Sequence, residues 1–299
     1  MNVFVAGGSG TIGLPLVRAL LAAGHQVTAM TRSPGKQAAL RALGATPAVA
    51  DAMNRDALMA IVEAAHPTHV IHQLTALPKD GPRRARDLVA TNRLRTDGTR
   101  NLLDAAINSG ARRFIVGSFA MLAASDDAAP DEGAAAVRSM EGQVLDATRR
   151  RAIEGVILRY GLFYGPETPS TIRMIELVRR RWLPVVRNDG GQLPCIHVDD
   201  AVSATVAALD RAPTGSTYNI VDDHAVSVTE IVQAIAEFTG SAPPFTVPAW
   251  LPRLVAPYWA RMASIRLALS NQPAKADLGW QPKYSTMRDG LSEMRRHAS

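Results

Sequence analysis

Residues Val3 to Gly13 read Val-Phe-Val-Ala-Gly-Gly-Ser-Gly-Thr-Ile-Gly, an apolar run that ends in glycines at 7, 8, 10 and 13 and leads into an amphipathic stretch, Leu14 to Ala23. The chemistry this pattern can do is to hold a pyrophosphate. Glycine lets the main chain turn tightly and approach phosphates closely, while the free N–H groups and positive end of the next helix meet their charge. With a strand before and a helix after, Gly7, Gly10, Thr11, Ile12 and Gly13 are candidate dinucleotide-binding residues. The next strand-like run ends Met30-Thr31-Arg32-Ser33, with Lys36 one turn on and no carboxylate nearby. An acid there would hold the ribose 2′-hydroxyl of NAD; the planar fork of Arg32 suits a 2′-phosphate, so NADP(H) is expected in preference to NAD(H). Asp51, past the third strand-like run, is placed either to accept from an adenine amino group or to cap a helix.

Groups that move protons are scarcer. The five tyrosines are Tyr160, Tyr164, Tyr218, Tyr258 and Tyr284, the four lysines Lys36, Lys79, Lys275 and Lys283, and no lysine lies four residues after a tyrosine. Candidates for catalysis are Ser118, at the end of a strand-like run, and Tyr160 and Tyr164, in the turn after the next. His197, Glu141, Asp199 and Asp200 have plainer readings: a packed strand residue, a solvated first helical turn and two helix caps. His66, His69 and His72 are three apart, but Pro67 interrupts any helix and an odd offset puts His69 and His72 on opposite faces of a strand, so no metal is expected. Ser118 lacks the GxSxG setting of a hydrolase nucleophile. The single cysteine, Cys195, falls in the strand-like run Leu193 to Val198 and is expected to be a buried, inert thiol.

These residues need a scaffold, and the first half supplies alternating elements. Strand-like runs at Val3–Ala6, Gln26–Thr31, Thr46–Ala50, His69–Leu74, Arg113–Gly117 and Val156–Arg159 are separated by helical stretches at Leu14–Ala23, Lys36–Leu43, Arg55–Ala65, Asp87–Ser109 and Glu141–Arg151. Such alternation predicts an α/β, Rossmann-like, doubly wound parallel sheet. After Arg159, prolines and glycines cluster at Gly161–Pro169, Asn188–Pro194 and Ala242–Pro257, with one more strand at Thr217–Val221 and a helix opened by Ser227-Val228-Thr229-Glu230, a capping-box pattern. The expected organisation is a dinucleotide-binding domain over residues 1–160 and a smaller, irregular substrate lobe over 161–299, partly interleaved with the sheet. The Ala/Asp-rich stretch Ala123–Ala136 predicts a mobile loop. The run Phe245–Met262, with Trp250 and Trp259 among prolines, predicts an apolar cover over the substrate or a dimer surface.

Composition narrows the partners. With 47% hydrophobic and 20% charged residues in 299, a large core can form. The net charge of +6 rests on arginines spread over the whole chain and not interleaved with stacking aromatics, so no nucleic-acid partner is expected. No apolar run approaches the roughly 18 residues of a membrane span, and the N-terminal strand lacks a signal-peptide prelude. The expectation is a cytoplasmic protein with a small-molecule substrate, no membrane partner, and homodimerisation as an option.

Six segments in order resemble the extended short-chain dehydrogenase/reductase superfamily, in its NAD-dependent epimerase/dehydratase branch. Gly7, Gly10 and Gly13 resemble its GxxGxxG; Asp51 its acid after the third strand; Val70-Ile71-His72-Gln73-Leu74 its fourth strand, with Leu74 and, from the next helix, Asn92 near the cofactor. Leu158-Arg159-Tyr160-Gly161-Leu162-Phe163-Tyr164-Gly165-Pro166 resembles its LRxxxxYGP turn, Ile196-His197-Val198-Asp199-Asp200 its hVDD segment and Leu278-Gly279-Trp280-Gln281-Pro282 its LGWxP. Thr91-Asn92 and Gly98-Thr99-Arg100-Asn101-Leu102-Leu103 resemble its long helix, and the resemblance implies that an asparagine side chain there meets the main chain of the neighbouring strand. It also implies catalysis by a tyrosine with lysine four residues on, which lowers the phenol's pKa; aligned here, those positions would hold Ala136 and Met140. The expected function is an NADP(H)-binding oxidoreductase or epimerase/dehydratase-like enzyme on a small carbonyl or alcohol, without that pair. The alternatives are a redox-neutral lyase, cyclase or isomerase, or a non-catalytic NADP sensor.

Overall fold

The computed structural model describes every residue except 79–80, 124–130, 187–190, 249, 256, 258–259, 262–263, 268 and 299. Seven parallel strands form its centre: β1 (Asn2–Ala6), β2 (Gln26–Thr31), β3 (Thr46–Val49), β4 (His69–His72), β5 (Arg113–Phe119), β6 (Glu154–Tyr160) and, after three short strands of the second half, β10 (Thr217–Ile220), in the order β10-β6-β5-β4-β1-β2-β3. The central strands are nearly continuous in apolar residues because both faces are covered. Val3, Val5, Ile71, Ile115 and Leu158 pack with Leu16, Val17 and Leu20 of α1 (Gly13–Ala22) and with Ala201, Ala204 and Ala208 of α9 (Val198–Arg211). Phe4, Ala6, Val70, Phe114 and Val116 face the other way. They pack on Leu58 and Val62 of α3 (Arg55–Ala65), Leu102 and Ala106 of α5 (Thr99–Asn108), and Met140 and Val144 of α7 (Glu132–Arg149). Two short helices, α2 (Gln37–Ala42) and α6 (Ala120–Ala123), follow β2 and β5.

Several boundaries differ from those expected. The helix predicted over Asp87–Ser109 is α4 (Val89–Arg93), one wider π-turn at Leu94–Gly98, and then α5. The predicted loop Ala123–Ala136 gives way to helix from Glu132: the Asp131 side chain accepts from the N–H groups of Gly133 and Ala134, and this cap starts α7 nine residues before Glu141. The stretch looks loop-like in sequence because alanine carries no amphipathic signal. Residues 124–130 of that loop, and Trp259 and Met262 of the predicted apolar cover, lie outside the described residues.

Beyond β6 the chain builds a second layer of contacts over the C-terminal ends of the strands. β7 (Leu162–Tyr164) pairs with β9 (Cys195–His197), and β8 (Val185–Val186) with β11 (Thr246–Val247). Helices α8 (Pro169–Arg179), α10 (Val228–Thr239) and the C-terminal α13 (Met287–Ala298) surround a cluster of Tyr164, Val178, Leu193, Cys195, Val232, Ile235 and Leu291 that extends to Met121, Leu122 and Val137. The predicted capping box is formed: the Ser227 hydroxyl accepts from Glu230 N at 3.1 Å and the Glu230 carboxylate from Ser227 N at 2.7 Å. β10 returns to the main sheet, so the second half shares its core with the first. Two further helices, α11 (Trp250–Val255) and α12 (Gln272–Leu278), complete the segment.

Candidate functional site

The strand order reverses between β1 and β4, so the loops leaving those two strands diverge and open a crevice at their C-terminal ends, the usual ligand position in such sheets. The glycines of the first loop are there for space. Gly7 has φ +90°, and a Cβ on it would lie 2.7 Å from Gln73 O; one on Gly13 would lie 2.0 Å from Gly7 O. Gly10 N donates to Gly7 O at 2.9 Å and Gly8 N to Met30 O at 2.9 Å, which folds the loop back onto β2. No side chain caps α1 and its first turn holds no acid, so its N–H groups and positive dipole end are left to an anion. Thr11 is exposed, whereas Ile12 and Gly13 are buried beneath the loop. This cradle fits a dinucleotide pyrophosphate.

The other cofactor candidates line the same edge. Arg32 and Ser33 are exposed just past β2, and Lys36 Nζ donates to Ser9 O at 3.2 Å while Ser9 Oγ and Thr31 Oγ1 share a 2.8 Å hydrogen bond. Two cations thus stand at the corner between the glycine loop and β2. Asp51 is exposed and accepts from Met53 N through Oδ1 at 2.9 Å; the cap of α3 is Asn54, whose Oδ1 accepts from Ala57 N at 3.1 Å. Leu74 is half-buried beside Gly7, its N–H donating to His72 Nδ1. Asn92 does not hold the neighbouring strand's main chain. The buried Thr91, facing inward from α4, instead holds the loop that leaves β4, its hydroxyl accepting from Ala76 N at 2.9 Å, and Asn101 of α5 donates to Ala52 O past β3 at 2.9 Å; the Asn92 oxygen accepts from Arg95 at 3.2 Å.

Ser118, near the end of β5, is buried and gives its proton to Glu141 Oε1 at 2.6 Å. Glu141 is not a solvated helix start: it is buried in mid-α7 and takes two hydrogen bonds from Arg159 on β6, at 2.9 and 2.6 Å. This serine–glutamate–arginine array spans β5, α7 and β6. α7 runs back against the strands, so its first two turns overhang their C-terminal ends. The residues it turns toward the second lobe there are Gly133 and Val137, against Leu122 and Met121, whereas Met140 packs into the core beneath the sheet. The four-residue spacing that aims side chains toward the β5 edge therefore falls on Gly133 and Val137, not on Ala136 and Met140. None of these four can move a proton.

The two tyrosines are held elsewhere. Tyr160 is 3% exposed, accepts from Gln73 Nε2 at 2.9 Å and bonds Thr205 at 2.7 Å, and burial pushes its pKa up to about 12. Tyr164 is 1% exposed and donates to Thr286 O at 3.1 Å; burial first, and then Asp222, push its pKa far upward. Asp222 stands beside it, 4% exposed, with neither carboxylate oxygen in a hydrogen bond, and burial pushes its pKa up to about 8. The cap of α9 is His197, whose Nδ1 accepts from Asp199 N at 3.2 Å, while its ring packs between Tyr164 and Tyr284. Asp200 is not a cap: it accepts from Lys283 N and Tyr284 N and ties the C-terminal segment to α9. Sequence reasoning missed Asp222 and singled out Thr91, Glu141 and Arg159 without their partners, since those contacts depend on segments distant in the chain.

His72 and His69 face opposite sides, as the odd offset requires. His72 Nδ1 accepts from Leu74 N, so Nε2 carries the proton and meets Thr99 Oγ1 at 2.9 Å, and burial lowers its pKa to about 4. Among the described residues no group of three or more histidine, cysteine or carboxylate side chains is arranged to hold a metal, and Cys195 is buried.

Comparison with known proteins agrees with this architecture. A 3-diazoavenalumate denitrifying reductase from Streptomyces sp is 36% identical, the match covering 97% of this chain and 99% of that protein. The UDP-glucose 4-epimerase of Thermus thermophilus, solved with NAD, superposes with a TM-score of 0.79 at 23% identity over 99% of this chain and 98% of that one. A dTDP-glucose 4,6-dehydratase of Streptomyces venezuelae, solved with NAD, gives 0.80 at 20% identity over 99% and 96%. The family model for the NAD dependent epimerase/dehydratase family matches residues 3–221, from the first strand through the last strand of the sheet. Glycine cradle, reversed strand order and end-to-end similarity converge, and the chain belongs to the NAD dependent epimerase/dehydratase family.

Proposed function

We propose that the chain is an NADPH-dependent reductase of a small organic substrate whose reacting group leaves without a proton from the protein. The observation that carries this reading is the apolar face, Gly133 and Val137, that α7 turns toward the end of β5, together with the commitment of the Ser118 proton to Glu141. Reduction of a ketone needs a proton on oxygen, and an unassisted phenol or serine hydroxyl is a poor proton donor at neutral pH. When bound, the reduced nicotinamide supplies a hydride. Gly7, Gly10, Thr11, Ile12 and Gly13 would hold the pyrophosphate, Arg32 and Lys36 would pair with the 2′-phosphate, and Asp51, Leu74 and Asn92 would border the remainder. Ser118 positions β5 against α7, and Tyr160 and Tyr164 pack the two halves without proton transfer.

The relative that is 36% identical is named for a denitrifying reduction of a diazo compound, and that class of reaction suits the site. With an aryl diazonium group, the hydride pair forms the new C–H bond, the C–N pair departs with N2, and no proton is exchanged. The test is NADPH oxidation with an aryl diazo substrate beside a panel of ketones and aldehydes, using NADPH deuterated at C4. Deuterium at the carbon that carried nitrogen, with N2 released and carbonyls inert, is the expected result. Turnover of the carbonyls alone, or binding of NADPH with no consumption under any substrate, would overturn it, the latter in favour of a redox-neutral enzyme or a sensor.

A further inference from the structure

Large apolar side chains left in solvent gather on one part of the second half. Trp182, Phe245, Trp250, Leu251, Leu254 and Val255 are all exposed, Leu254 and Val255 by more than 70%. Strand pairing brings their segments together: Val185 N donates to Phe245 O at 3.0 Å as β8 pairs with β11, and α11 follows three residues after β11. α11 buries none of its residues, and the positions 250, 251, 254 and 255 form a single helical stripe.

The segments that carry this stripe hold cations and no acid of their own. From Phe238 to Ala276 there is no aspartate or glutamate, while Arg253, Arg261, Arg266 and Lys275 fall within the segment and Arg179, Arg180 and Arg181 precede Trp182. The Arg180 guanidinium lies 5.5 Å over the Trp182 ring. It also meets Glu176 at 2.8 Å, Arg261 meets Asp131 at 3.4 Å and Lys275 meets Asp223 at 2.5 Å, so Arg179, Arg181 and Arg253 are the cations that a partner would meet. A second copy packed across a two-fold axis would set this patch against itself, with arginines facing arginines and no acid from the 238–276 segment to pair them. Nucleic acid has no use for Leu251, Leu254 and Val255. A headgroup layer meets both demands, taking the tryptophans and aliphatic tips into its apolar boundary and pairing the arginines with lipid phosphates.

We propose that this face docks the protein on an anionic lipid surface, with α11 lying in the plane of the headgroups. This departs from the expectation, drawn from the sequence, of no membrane partner, and it does not depend on which reaction the site performs. Among the described residues no helix is long and apolar enough to cross a membrane, which is compatible with a peripheral attachment. The test is co-sedimentation of the full chain with phosphatidylcholine vesicles, with and without phosphatidylglycerol. Binding to the anionic vesicles, reversed by salt, is expected. It should weaken by about tenfold or more in Trp250→Ser/Leu254→Ser, since each large apolar side chain buried is worth about that factor. It should also weaken in Arg179→Glu/Arg181→Glu, with circular dichroism melts unchanged in both variants. No binding to either vesicle, or binding indifferent to both variants, would overturn the proposal. So would a concentration-dependent dimer in light scattering that the Leu254→Ser change abolishes, which would assign the face to a second copy.

Discussion

Charge type at single positions decides what the site can hold and what it cannot do. Arg32 and Lys36 stand where a carboxylate would select NAD, and the proposal of NADPH as coenzyme rests on them. Arg32→Asp is expected to weaken NADPH by about tenfold or more, the worth of a charge-assisted phosphate contact, and to leave NADH unchanged or improved; titration calorimetry with both coenzymes measures the difference. Equal losses for the two would show that Arg32 serves only the adenine. The two candidate tyrosines are held at the same scale. Tyr160 and Tyr164 are legible in the sequence as residues near a turn, but their hydroxyls are fixed by Thr205, Gln73 and Thr286, partners that lie from 45 to 122 positions away.

Between elements, the array of Ser118, Glu141 and Arg159 holds α7 to β5 and β6 and so fixes which face of α7 meets the crevice. Removing a buried carboxylate from such a pair leaves its cation uncompensated, at a cost of about 3 kcal/mol. The part-exposed Arg159 recovers some of this through water, so Glu141→Ala is expected to lower stability by about 2 kcal/mol, and Glu141→Gln, which keeps an acceptor for Ser118, by less. Urea unfolding with an unchanged slope checks both; a loss under about 0.5 kcal/mol for Glu141→Ala would show that the array is not a structural tie. No local pattern carries this, because an isolated glutamate in a helix looks the same whether it faces water or a strand 18 positions on.

For the whole molecule, buried titrating groups set the pH of greatest stability. Burial lowers His69 and His72 to about 4 from an ordinary value near 6.5, so the unfolded chain takes up protons between these limits that the folded chain refuses, and stability falls as pH drops from 6.5 to 4. Burial raises Asp222 to about 8 from an ordinary value near 4; here the folded chain keeps a proton that the unfolded one gives up, and stability falls as pH rises through that window. Burial lowers His197 as well and raises Asp200, so the three histidines outweigh the two acids below 6.5 and Asp222 carries the decline above it. Thermal melts should therefore be highest near pH 6.5. Asp222→Asn should flatten the decline between 6.5 and 8 and, with the opposing slope gone, steepen the rise from 4 to 6.5. A decline above 6.5 that persists in Asp222→Asn would place its origin elsewhere.

The sequence by itself determined the Rossmann-like parallel sheet and its glycine turn, because glycine spacing and alternating strands and helices are local patterns whose meaning survives without knowing the neighbours. It also determined that no tyrosine has a lysine four residues on. Tertiary structure alone decided the start of α7, whose alanines carry no periodic signal, and the choice of Thr91 over Asn92, which turns on which way one helical position faces. It alone decided the burial of Asp222 beside Tyr164 and the solvent exposure of α11, since burial is a property of what the rest of the chain places alongside, and no local pattern encodes that.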